Sequence, residues 1–355
     1  MNGLSLFSGA GIGETYFKDV GIDIVVANEL IQRRADLYKS ISPNVDMICG
    51  DIKNSEVFSK IIRKSKDKDV KFILASPPCQ GMSVAGKNRH TDTMITDERN
   101  YLITYVVKAI EKLKPRYVLI ENVPSLLKLV LNYKSKSQTV LEILKSEFSK
   151  DYDIDGQVVD SSDYGVPQTR LRAIIKMNFR GYTWNWVEKD TKKVTVKEAI
   201  GYLPSLESGE SSNIKWHFAR THSKNNILWM KHTPTGCSAF QNKVYYPQKQ
   251  DGTRIKGYES SYRRIKWDEP APTITIRNDC IASQRNVHPG RLLPDGTYSD
   301  ARVLTPLELM ILNSLSSDWN IPDDTPELLI RQCIGESIPP LMLKKIVGGI
   351  KEDLH

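Results

Sequence analysis

The chain has 355 residues, of which 40% are hydrophobic and 26% charged, with a formal net charge of +8. These values describe a globular protein of one large and one smaller domain; no apolar run is long enough to span a bilayer, and no basic flank with a cleavage site precedes the first apolar run, so a membrane or secreted protein is not expected. The five cysteines are scattered and form no CxxC pair, so neither a zinc site nor a disulfide framework is indicated, which fits a reducing cytosol; the positive charge agrees with a polyanionic partner without requiring one.

In chain order, Gly3–Phe7 reads as a first strand. The turn Ser8-Gly9-Ala10-Gly11-Ile12-Gly13 follows, and a helix is expected from Glu14 to about Val20. Further apolar runs are Ile22–Ala27, ending in Asn28-Glu29, and Val45–Cys49, ending in Gly50-Asp51. Val70–Ala75 is the next, and Ser76-Pro77-Pro78-Cys79 closes it because proline fixes φ and removes a donor. Tyr101–Leu113 has helical spacing, and Arg116–Ile120 is a fifth run ending in Glu121-Asn122. Strand and helix alternating in this way predicts an α/β fold with a doubly wound, mostly parallel sheet. The carboxyl ends of parallel strands share one edge, so Glu29, Asp51, Cys79 and Glu121 are expected to converge there.

Beyond Asn178 the texture changes. Residues 181–260 are polar and rich in Trp, Tyr, His and Lys, with many turn signals, and read as a second, smaller domain of irregular β structure. Thr305-Pro306 has the form of a helix start, with a helix over Leu307–Leu315 and a last one over Pro340–Ile350. The expected division is residues 1–180 for catalysis and cofactor binding, 181–323 for target recognition, and 324–355 as a helix returning to the first domain.

Each candidate residue has a bland reading beside its functional one. Cys79 is a nucleophile at a strand end or a small buried hydrophobe. The glycine turn lets backbone amides meet an anion, such as the carboxylate of a methionine moiety, or is only a tight strand–helix connection. Glu29 suits ribose hydroxyls and Asp51 an adenine amino group, unless both are loop carboxylates. Glu121, in a closed and largely apolar pocket, has a raised pKa and donates a proton, or it caps the next helix. Arg170 and Arg172 alternate and would share one strand face, suited to carboxylate or phosphate oxygens. The Gly81–Arg99 loop, with Lys87, Arg89 and His90, reads as a basic lid or as an ordinary surface loop.

Taken together, these residues resemble the cytosine-5 DNA methyltransferase family of bacterial restriction-modification systems. The resemblance runs in family order through Phe7-Ser8-Gly9-Ala10-Gly11-Ile12-Gly13, Asn28-Glu29, Gly50-Asp51, Ser76-Pro77-Pro78-Cys79-Gln80, Glu121-Asn122-Val123 and Gln168-Thr169-Arg170-Leu171-Arg172. It continues in Arg263–Thr275, His288-Pro289 and Leu304–Glu308. Residues 181–260 match least, where the family carries its variable recognition region. Gly335-Glu336-Ser337 departs from the Gly-Asn-Ser or Gly-Asn-Ala of many members.

The resemblance implies the S-adenosylmethionine-dependent methyltransferase fold and methyl transfer to carbon 5 of cytosine in a specific duplex DNA sequence. The target base would be flipped out, and Cys79 would add to carbon 6, assisted by Glu121, Arg170 and Arg172. S-adenosyl-L-methionine would lie along Phe7, Gly9, Ala10, Gly11, Ile12 and Gly13, then Glu29, Leu30, Asp51 and Ile52, with Pro78, Leu102, Glu336 and Ser337 completing its site. Gln80, Ser83, Lys87, Arg89 and Arg99 would contact DNA, and no metal is implied. The expected protein is a compact, monomeric, cytoplasmic bacterial enzyme without a regulatory N-terminal region, paired with a restriction endonuclease of the same site. An RNA-modifying relative would carry a Cys-Phe-Thr segment, which is not found; a nicotinamide oxidoreductase would carry GxGxxG, also not found. A catalytically silent DNA-binding protein would have no need of Cys79, Glu121 and Arg172 together.

Overall fold

The computed structural model of the chain describes residues 1–78 and 98–351. Residues group into two units: Met1–Asp160, Leu171–Lys189 and Leu343–His355 in the first, and Ser161–Arg170 with Asp190–Met342 in the second. Among the described residues no helix is long and apolar enough to cross a membrane.

The first unit is built on a seven-stranded sheet of order β3-β2-β1-β4-β5-β9-β8. Strands β1 (Asn2–Leu6), β2 (Asp23–Glu29), β3 (Asp46–Cys49), β4 (Phe72–Ala75) and β5 (Tyr117–Asn122) run parallel. β8 (Tyr152–Asp160) and β9 (Leu171–Phe179) join antiparallel at the β5 edge. Strands buried on both faces need apolar residues throughout, and Phe72–Ala75 and Tyr117–Ile120 supply them in unbroken runs. The expected mostly parallel sheet is therefore present. Strand order reverses between β1 and β4, where such sheets form a crevice at their carboxyl ends.

Helices cover the faces. α1 (Gln32–Ile41) leads into β3. In α2 (Ser55–Asp67), Asn54 caps the start by accepting from the amides of Glu56 and Val57. Phe58, Ile61 and Ile62 recur at helical spacing and are buried, each contributing about 1.5–3 kcal/mol by leaving water. α3 (Ile103–Leu113) buries Ile103, Val106, Val107 and Ile110 in the same way, and ends at Lys114, left-handed at φ 45°, just before Pro115. α4 (Val140–Phe148) follows the small hairpin β6 (Val130–Tyr133) and β7 (Lys136–Thr139). These helices pack Leu4, Leu6, Ile73, Val118 and Ile120 into one core.

The helix expected over Glu14–Val20 is not formed; turns lead to a single 3-10 turn at Phe17–Val20. Glycine at Gly9 and Gly11, both left-handed, and the Thr15 hydroxyl bonded back to the Ile12 carbonyl at 2.8 Å compete with helix, and Gly21 stops it at once.

The expected boundaries at 180 and 323 also differ from the observed grouping. Residues up to Lys189 stay with the sheet because β10 (Thr183–Trp184) pairs with β11 (Ile350–Lys351) and Trp184 packs on Phe72 and Tyr117. At the other end, α8 (Glu327–Glu336) belongs to the second unit, since buried Arg331 donates to the Leu304 and Asn278 carbonyls.

The second unit has short helices, among them α5 (Val196–Ile200), α6 (Lys224–Lys231) and α7 (Pro306–Leu312), and isolated β-bridges in place of long strands. Trp229, Met230, Ile281, Val287 and Val303 form one of its apolar clusters. Beside them lies a buried ionic group. Arg302 donates to Asp300 at 2.9 Å and to both oxygens of Glu308 at 2.8 and 2.9 Å. Of α9 (Pro340–Val347), residues up to Met342 group with the second unit and those from Leu343 with the first.

Candidate functional site

The carboxyl edge of the parallel sheet gathers the polar strand ends. Phe7, the first residue after β1, takes the left-handed conformation at φ 59°, which turns the chain away from the sheet. The Ser8 amide donates to the Asn28 carbonyl at 3.0 Å. The Gly9 amide donates to Oε2 of Glu29 and the Ile31 amide to Oε1, both at 2.9 Å. Glu29 is thus held by its own turn and by the glycine turn, and each oxygen keeps a second lone pair for a ligand hydroxyl.

A Cβ at Gly9 would meet nothing within 4 Å, so open space lies over that amide. At Gly11 a Cβ would stand 2.7 Å from the Tyr38 ring, so the turn is seated on that ring. Asn28 donates to the Ile48 and Gly50 carbonyls at 2.9 and 3.1 Å, tying β2 to the end of β3. Leu30 is 63% exposed beside this edge, an apolar surface suited to an aromatic ring. These features fit S-adenosylmethionine: a carboxylate for ribose hydroxyls, open backbone at a glycine turn, and an exposed apolar flank.

Other expected cofactor residues are placed differently. Ala10, Ile12 and Gly13 are buried, so they seat the turn on the sheet instead of forming an open wall. Ile52 is part of the apolar core instead of an open wall, and Leu102 is packed against that core. Asp51 is partly exposed, and its Oδ1 accepts from the Lys53 amide at 2.9 Å. Pro78 is half-buried. Glu336 and Ser337 lie in the second unit; Glu336 is exposed, while the Ser337 hydroxyl donates to the Ile334 carbonyl and accepts from Asn313.

At the end of β5, Glu121 pairs across the sheet with Ile174 and Asn122 with Ala173. Arg172, two residues before Ile174, therefore shares the Glu121 face, and its Nε meets Oε1 of Glu121 at 2.8 Å with both side chains largely buried. The largely apolar pocket expected around Glu121 thus contains a guanidinium. Asn122 donates to the Pro77 carbonyl at 2.7 Å and accepts from the Val123 amide, fixing the backbone that leads to Pro78. In the sequence, the only signal for this task of Asn122 is its place beside Glu121 at the strand end.

Arg170 does not share the Arg172 face. β9 begins at Leu171, and Arg170 lies in the second unit, 3% exposed, donating to the Ile274 and Gly335 carbonyls at 2.6 and 3.0 Å. A guanidinium bonded to two main-chain carbonyls clamps the backbone there, a structural task beside the catalytic one expected for Arg170. Arg99 is exposed. Cys79, Gln80, Ser83, Lys87 and Arg89 lie outside the described residues.

Residues 1–352 match the family described as C-5 cytosine-specific DNA methylase. The chain is 60% identical over 348 residues to the Type II methyltransferase M1.HgaI of Avibacterium volantium, covering 98% of this chain and 97% of that one. It is 30% identical to the Type II methyltransferase M.XorII of Xanthomonas oryzae pv. oryzae, covering 99% and 85%. Among solved structures, it resembles a DNA modification methyltransferase encoded within a prophage of E. coli, with a TM-score of 0.72 at 21% identity over 98% of each chain. A Spodoptera frugiperda DNMT2 mutant matches with a TM-score of 0.61 at 18% identity, over 98% of this chain and 99% of that one. With the family match spanning nearly the whole chain and the polar strand ends gathered on one sheet edge, the chain belongs to the C-5 cytosine-specific DNA methylase family and is a DNA (cytosine-5-)-methyltransferase.

Proposed function

We propose that the enzyme methylates carbon 5 of one cytosine within a specific duplex sequence, using S-adenosyl-L-methionine, as the modification half of a Type II restriction-modification system. The names of its relatives support that setting, with a cognate endonuclease acting on the same site. The protein acts as a monomer in the cytoplasm.

The buried Glu121–Arg172 pair carries the mechanistic reading. Carbon 5 of cytosine is a poor nucleophile until the ring's carbon 5–carbon 6 bond is opened by addition. The Cys79 thiolate adds to carbon 6, forming an S–C bond, and the displaced electron pair makes carbon 5 nucleophilic. Glu121 binds at ring nitrogen 3 as that electron density develops, and Arg172 holds the Glu121 carboxyl in place. The cofactor supplies an electrophilic methyl group. Carbon 5 then loses its proton, and the Cys79 sulfur leaves with the electron pair of its bond to carbon 6. A base stacked in a duplex cannot meet Cys79, so the target is flipped out. Recognition is assigned to residues 181–260, of which the part from Asp190 onward falls in the second unit.

Trapping tests the covalent step. Duplex DNA with 5-fluorocytosine at the target cannot lose the carbon 5 substituent as a proton, so wild type should form a complex that survives denaturation. Cys79→Ser should form none while still binding cofactor. A serine variant with near wild-type methylation would contradict the mechanism.

A further inference from the structure

The cofactor turn stands over a buried acid. Glu14 follows Gly13 directly; the residue as a whole is half-buried, but its Oε1 is shut off from solvent and, like the buried Ser5 hydroxyl, makes no hydrogen bond among the described residues. The hydroxyl of Ser5, from β1, and that of Tyr38, from α1, face its carboxyl. Burial pushes the Glu14 pKa up to about 7, outweighing the hydroxyls and the backbone amide that favour its anion. Among the described residues no cation is part of that set. Asp23 of β2, which also acts on Tyr38, pairs with Lys18 at 3.2 Å, and Asp19 pairs with Lys344 at 2.7 Å, Lys344 also standing over the Tyr16 ring.

Tyr38 connects this acid to the cofactor turn. Its ring lies where a Gly11 Cβ would stand, and its hydroxyl end meets Glu14. A neutral carboxyl both donates and accepts, and it fits between two hydroxyls. A carboxylate there accepts only, and without water or a cation it is poorly satisfied. Of the surrounding elements, β1 is a central strand and Tyr38 is fixed in a buried helix face, while the turn carries left-handed Gly9 and Gly11. The turn is therefore the element that yields when the charge seeks water.

We propose that Glu14, as a neutral acid wedged between Ser5 and Tyr38, positions the Gly9–Gly13 turn for S-adenosylmethionine, and that its ionisation unseats the turn and weakens cofactor binding. Glu14 is a positioning residue, acting through Tyr38 and the turn. The inference rests on the cofactor reading above.

The test is the dissociation constant of S-adenosylmethionine for the full chain, measured by calorimetry from about pH 6 to about pH 8.5 at fixed ionic strength. The cofactor's own α-amino group titrates near the top of that range, so the readout is the ratio of wild type to Glu14→Gln. The glutamine variant keeps a neutral donor and acceptor and should bind alike at all pH values. The ratio should be near one at low pH and climb by up to about tenfold per pH unit above pH 7. Tyr38→Phe keeps the ring beneath Gly11 but removes a donor to the anion, so the fall in affinity should begin at higher pH. A flat ratio overturns the proposal. Should Glu14→Gln not fold, an unchanged onset in Tyr38→Phe overturns it equally. Absence of cofactor binding in wild type at every pH would overturn the cofactor reading and this inference together, whereas binding with a flat ratio overturns only the role of Glu14.

Discussion

Glu121 and Arg172 show what single residues reveal before and after folding. A carboxylate ending an apolar run marked Glu121 as a site residue, and it is buried at the carboxyl edge of the sheet. Its partner was only half legible. Arg170 and Arg172 alternate, and alternation implies one face only if both residues are in the strand; β9 starts between them, at Leu171. If Glu121 assists at ring nitrogen 3, Glu121→Gln should lower turnover by roughly 10²–10⁴-fold with cofactor affinity unchanged, measured by methyl incorporation and calorimetry. A change confined to DNA affinity would give Glu121 a positioning role. Gly11 makes a stability prediction at the same scale. Alanine there needs φ near +76° and puts a Cβ 2.7 Å from the Tyr38 ring. Gly11→Ala should therefore cost about 1–3 kcal/mol in denaturant unfolding and weaken cofactor binding.

Elements with an apolar period were legible, and those set by distant partners were not. The five parallel strands appear where apolar runs place them, with ends displaced by a residue or two, because a strand buried on both faces needs such a run. The helix after the glycine turn failed because local glycine and threonine chemistry outweighed it. The start of α7 was legible as Thr305-Pro306, and Glu308 completes a capping box there while also taking both bonds from Arg302. That second task could not be read locally. Arg302 holds the Glu308 carboxyl down at about 2, against burial that would raise it. His288, buried and flanked by Arg302, is held neutral well below the usual histidine range. Both signs agree. The depressed Glu308 contributes stability above its unfolded value near 4.5 and loses it as pH falls toward 2. His288 adds a loss as pH falls below its unfolded value near 6.5. The denaturant midpoint should accordingly drop between neutral and acid pH. Glu308→Gln, which leaves buried Arg302 short of one countercharge, should be destabilised at neutral pH by about 3–5 kcal/mol and lose less on acidification. Equal acid sensitivity in wild type and variant would remove this group as the cause.

At the scale of the whole molecule, the change of texture after Asn178 suggests a second part, and the residues group into two units with other limits. Trp184 sits on the sheet of the first unit, and Arg331 ties α8 into the second, through contacts between residues far apart in the chain. Exchanging residues 190–260 for those of a relative with another target should move methylation to the relative's site while Cys79 stays essential; an active hybrid that keeps the original site would shift recognition to residues 81–99. The central claim, sequence-specific methylation of cytosine at carbon 5, is tested most directly by bisulfite sequencing of DNA from cells expressing the protein. The account predicts protected cytosines at one position of one recurring sequence, absent with Cys79→Ser. Full conversion of every cytosine in cells containing folded wild-type protein would contradict it.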